Sequence, residues 1–186
     1  MQTLARSNRR QLLDLARAAV EATAGRSAKP GLDESVADPE LLAPGAAFVT
    51  LREGGQLRGC IGMLRHDVPL WINVRDSAVA AARDDPRFPP VDASELPEIE
   101  IEVSVLEPPV ALPDPSLFEA GRHGIVVERG ACRALLLPQV ATEMGWGESE
   151  MLEAVCRKAG LRPDAWRDRA TRLYVFESVC FDAADC

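Results

Sequence analysis

The chain has 186 residues, enough for one compact unit with a sizeable core. Apolar residues make up 47% and charged residues 27%, which excludes a wholly disordered or fibrous chain. The formal net charge is -8, and the short basic groups, Arg9-Arg10 and Arg167 to Arg172, read as solvated helix faces, so nucleic acid is not an expected partner.

In chain order, Ser7 is placed to cap a first helix with Leu12, Leu15, Ala16, Ala19 and Val20 on one face, running to the Gly25 region. Three prolines between Arg26 and Pro44 mark a long irregular connection. Ala46 to Leu51 and Gln56 to Met63, joined by a turn at Glu53-Gly54-Gly55, predict a β-hairpin. Pro69 opens a helix carrying Trp71, Val74, Ala78 and Ala82, which stops before Pro86; Asp85 to Pro90 is then a stiff loop. Ile99, Ile101, Val103 and Val105 alternate with Glu98, Glu100, Glu102 and Ser104, the pattern of a strand with one buried face.

The same order then returns. Gly124 to Glu128 and Ala131 to Leu137 predict a second hairpin, joined at Arg129-Gly130. A helix follows from about Gln139, interrupted at Gly145-Trp146-Gly147 and resumed to Gly160. Leu173, Val175, Phe176, Val179 and Phe181 supply a last strand. Two hairpin-helix-strand halves, about 45–110 and 120–182, predict an α+β fold with a mostly antiparallel sheet or barrel and helices packed outside.

Five cysteines, Cys60, Cys132, Cys156, Cys180 and Cys186, form no Cys-x-x-Cys pair, which suits free thiols in a reducing compartment. No stretch approaches the roughly 20 apolar residues of a membrane span, and the N-terminus lacks the pattern of a signal peptide, so a cytoplasmic location is expected.

Chemistry concentrates at Leu57-Arg58-Gly59-Cys60-Ile61-Gly62. With a strand period of two, Arg58 and Cys60 share a face, and a guanidinium beside a thiol favours the thiolate. Gly59 and Gly62 allow close approach of a ligand or of another backbone. The competing reading makes Cys60 a small core residue. His66 and His123 lie on predicted loops, where either serves as a base only if the fold brings it to Cys60. Glu100 and Glu102 share a strand face, as an acid would or as the wet side of any sheet does. Trp71, Trp146 and Trp166 read as core anchors. Phe88, beside Arg87 in a rigid loop, fits a cleft wall. No zinc-like ligand spacing, Walker-type run or dinucleotide fingerprint occurs, so neither a metal nor a nucleotide cofactor is expected.

The hexapeptide Leu57 to Gly62 resembles the hallmark of the AMMECR domain family, and Asp85 to Pro90 matches that family's Asp-x-Arg-Phe-x-Pro element. Ile101 to Leu106, Gly124 to Val127, Leu135 to Ala141 with Trp146, and Cys156 to Gly160 followed by Trp166 match in the same order. The nearest likeness is to the prokaryotic members called AmmeMemoRadiSam system protein A. Met63-Leu64 departs from the usual small polar residue and aromatic, and the 26–44 connection matches poorly. The resemblance implies a single domain over 1–186 with two related halves. It also implies partners, a Memo-like protein similar to extradiol ring-cleaving dioxygenases and a radical-SAM enzyme, without fixing a reaction.

Together these readings predict a cleft at Arg58 to Gly62 that binds a small anionic molecule, with Cys60 and Arg58 as its chemistry. Gly59, Ile61, Gly62, Arg87 and Phe88 would form the binding surface. The alternative is a non-catalytic module that docks onto the two partners.

Overall fold

The computed structural model describes residues 4–186. Its elements are α1 (Arg6–Ala24), α2 (Pro39–Leu42), β1 (Ala46–Glu53), β2 (Gln56–Met63), α3 (Leu70–Arg83), β3 (Ile99–Leu106), β4 (Val110–Ala111), β5 (Gly124–Arg129), β6 (Cys132–Leu136), α4 (Gln139–Met144), α5 (Glu148–Lys158), β7 (Arg172–Phe176) and β8 (Ser178–Phe181). The chain folds as α+β, and its strands form two four-stranded sheets, ordered β2-β1-β3-β8 and β4-β7-β5-β6. Contacts divide it into two compact units, one running up to Leu106 and taking in Val179–Cys186, the other Glu107–Ser178.

In the first unit, Leu12, Leu15, Ala16, Ala19 and Val20 of α1 are buried, as their spacing predicts. Ser7 does not cap this helix. It lies in the first turn, behind an N-cap at Ala5 that makes no side-chain bond. The helix core also takes Trp71, Val74, Ala78 and Ala82 of α3, packed against Val49, Leu51, Ile101 and Val103 of the sheet. Gly54 and Gly55 both take positive φ, 55° and 77°, as a two-residue primed turn requires.

The second unit repeats the scheme. In the first, the leading hairpin strand lies between its partner and the strand after the helix, β2-β1-β3; in the second the order is β6-β5-β7. The helical stretch is broken where the glycines predict, with Gly145 left-handed between α4 and α5. A cross-strand Phe over a Gly recurs as well: Phe48 opposes Gly62, and Phe176 opposes Gly124. A Cβ at either glycine would stand 2.2 Å from the ring, so the ring occupies the space of the missing side chain.

Two further expectations change. The last strand is two strands: β7 pairs with β4 and β5, while β8 joins the first sheet beside β3. Between them, the Glu177 carbonyl accepts from the Glu107 N–H instead of continuing a ladder. Alternation along β3 also slips, since Ser104 is 1% exposed while Val105 is only half-buried.

Candidate functional site

The ladder between β1 and β2 runs in simple register from the turn, Glu53 to Gln56 and Arg52 to Leu57, and then shifts. Beyond the shift Leu51 opposes Gly59, Thr50 opposes Cys60 and Val49 opposes Ile61. Arg58 is thus the extra residue of a β-bulge. Without it, counting from the turn would place Cys60 opposite Val49, on the helix-covered face. With it, Gly59 and Ile61 take that face and Cys60 takes the other.

Gly59 meets α3 directly: a Cβ there would lie 2.3 Å from the Ala81 carbonyl oxygen. Its glycine serves helix packing. Ile61 packs against the same core.

On the opposite face the register lines up Cys60 of β2, Thr50 of β1 and Glu102 of β3 in one row across three strands. The Thr50 hydroxyl donates to Cys60 Sγ at 3.3 Å. Thr50 is 5% exposed, whereas Cys60 is half-buried and so not sealed in the core. Cys180 joins the row's far end through interactions with Glu102 and Ser104. Glu100 stands one rung along, opposite Arg52, and is exposed.

The loop after α3 closes over the outer edge of β2. Asp85, 3% exposed, accepts the Cys60 N–H at 2.9 Å. It also takes the Arg87 backbone N–H and two guanidinium bonds, Nε at 2.9 Å and Nη2 at 2.7 Å. Hydrogen bonding from Arg87, reinforced by the two backbone N–H groups, holds the Asp85 carboxyl down at about 2, against a desolvation that pushes it up. Arg87 Nη2 further donates to the Cys60 carbonyl at 3.4 Å. Arg87 is held protonated chiefly by Asp85 and, more weakly, by the charge of Cys60.

Arg58 is 9% exposed and turned to another task. Its Nε and Nη2 grip both Glu95 carboxylate oxygens, at 2.7 and 3.0 Å, while Nη1 and Nη2 donate to the carbonyls of Pro89 and Pro90. Phe88 sits between two guanidiniums, 5.9 Å from Arg58 and 5.5 Å from Arg87. The cation beside Cys60 is therefore Arg87, and Arg58 fastens the loop that presents it.

Thr50 and Glu95 escaped the sequence reading. Thr50 is visible from the turn only if the bulge is counted, and Glu95 carries no local signal. His66 follows the end of β2 and is half-buried. His123 belongs to the second unit, where its Nδ1 accepts the Glu119 N–H at 3.2 Å. Among the described residues no three His, Cys, Asp or Glu side chains converge as a metal site, and no helix is long and apolar enough to cross a membrane.

These elements, a bulged Arg-Gly-Cys strand edge clasped by an Asp-Pro-Arg-Phe loop on a repeated α+β frame, define a family. The AMMECR1 family model matches residues 13–181, and the chain belongs to that family. A protein of Methanothermobacter thermautotrophicus is 45% identical over 96% of this chain and 95% of its own length. A relative from Pyrococcus furiosus is 43% identical over 92% of this chain and 86% of its own. The crystal structure of protein PH0010 from Pyrococcus horikoshii superposes with a TM-score of 0.85 at 40% identity, covering 92% of this chain and 89% of that one.

Proposed function

We propose that this AMMECR1-family chain binds a small anionic molecule at the Cys60-Thr50-Glu102 row, with Cys60 as the reactive thiol and Arg87 as the cation that meets the ligand. The observation that carries this reading is the half-buried residue Cys60, whose Sγ receives the Thr50 hydroxyl at 3.3 Å beside a largely exposed guanidinium. A donated hydrogen bond and a nearby cation both favour thiolate over thiol. Arg58 is a positioning residue: it holds the 85–90 loop in place through Glu95 and two carbonyls.

Alkylation of the full chain by iodoacetamide at about pH 7, read site by site by mass spectrometry, tests this. Cys60 should react faster than free cysteine, and Arg87→Gln should slow it severalfold. Two of the competing thiols are disfavoured. Burial pushes the Cys156 thiol up, and desolvation, with help from Glu102 and Asp182, drives that of Cys180 up to about 12, although Cys180 is exposed as a residue. A Cys60 no faster than free cysteine would overturn the assignment.

A second reading rests on Phe88, half-buried and 5.9 and 5.5 Å from two guanidiniums, in a loop that carries three prolines. Such a rigid aromatic suits docking onto a protein, and the family resemblance names the Memo-like protein and the radical-SAM enzyme as occupants. Co-purification separates the two readings. Should Cys60→Ser leave partner activity intact while Phe88→Ala abolishes the complex, docking is the function and the thiol is incidental.

A further inference from the structure

Away from Cys60, wholly within the second unit, a cavity of about 410 Å³ is lined by Trp166, Arg167, Arg169, Thr171, Arg172 and Tyr174 among others. Its hydrogen-bonding groups are unbalanced in one direction. Arg169 and Arg172 have no carboxylate partner among the described residues, and Arg167 only lies over the Trp166 ring at 4.5 Å. Asp168 is the sole carboxylate in the lining, and its oxygens are engaged by Arg129 at 2.8 Å and by the Ala170 N–H at 3.0 Å.

Arg167, Arg169 and Arg172 are all exposed, and a guanidinium only donates. What the side chains of such a cavity lack is an acceptor that carries charge.

We infer that this cavity is a binding site for a small phosphate monoester on a planar apolar body. A phosphate offers several acceptor oxygens and a charge that Arg fits in fork geometry. The half-buried Tyr174 ring offers the wall on which a planar group packs. The basic stretch Arg167 to Arg172, which reads in sequence as a solvated face, thereby acquires a task.

Calorimetric titration of the full chain with phenyl phosphate, with inorganic phosphate as a parallel arm, tests the assignment. Expected are saturable one-to-one binding of phenyl phosphate, weaker binding of inorganic phosphate, and at least a tenfold loss in the double variant Arg169→Gln/Arg172→Gln. Both arginines are exposed, so the double variant keeps the fold, which a circular dichroism melt verifies. Arg65→Gln, a surface cation of the first unit, should bind as the parent does. Absence of saturable binding, or equal affinity in the double variant, overturns the site; equal affinity for inorganic phosphate overturns the planar body.

Discussion

Gly59 and Gly62 are both required, for reasons of space that differ. At Gly59 the obstacle to a side chain is the α3 backbone at Ala81, which cannot rotate away as a side chain could. Gly59→Ala should therefore destabilise the fold by about 2 kcal/mol or more, measured as a fall in the urea midpoint. The Arg58-Glu95 pair is largely desolvated and bidentate, so removing one partner strands the other. Glu95→Ala should cost on the order of 3 kcal/mol, whereas Arg83→Ala, which breaks an exposed ion pair with Asp84, should change stability little. Asp85 supplies a pH signature. Its carboxyl is held down at about 2, so its contribution is fully present above the ordinary carboxylate range and fades as pH falls from about 4 toward 2. By linkage that is about 2 kcal/mol, and Asp85→Asn should flatten this part of the stability-pH curve.

At the scale of elements, β2 is an edge strand, and an unpaired edge invites association with other chains. Here the 85–90 loop pairs with it instead: the Cys60 N–H goes to Asp85 and the Cys60 carbonyl takes Arg87. Asp85→Ala should uncover that edge, speeding amide exchange at Cys60 by at least tenfold while leaving Val49 and Val103, in the covered strands, little changed. The helices and hairpins were legible because each rests on a local period: the α1 face, the Gly54-Gly55 turn and the Gly145 break all follow from neighbours in sequence. The split between β7 and β8 was not, because Phe176, Val179 and Phe181 keep a strand-like composition across it. Only which sheet receives each piece separates them.

The whole molecule is acidic, with 29 carboxylate against 21 basic residues, and the arginines at 167, 169 and 172 that lack a carboxylate partner among the described residues line a cavity instead of forming a track. A duplex binder making 6–10 phosphate contacts, by contrast, needs a cation for each. Fluorescence anisotropy of labelled duplex DNA should stay flat at about 20 mM salt, where electrostatic binding is strongest. Each unit has its own core, around Val49, Val74 and Val103 in the first and Ile125, Val127 and Val155 in the second.

By itself the sequence determined the main helices and hairpins, the doubled hairpin-helix-strand order and the family, since periodicity, turn residues and motif order are all written along the chain. It also singled out Cys60. It could not assign the face on which Cys60 lies, because one bulged residue at Arg58 reverses the period of two, and a bulge is fixed by the partner strand and by the anchor that Arg58 finds. That anchor, Glu95, lies 37 residues away. Nor could it say that Arg87 and not Arg58 stands beside the thiol, a choice made by which carboxylate each guanidinium meets once the chain has folded.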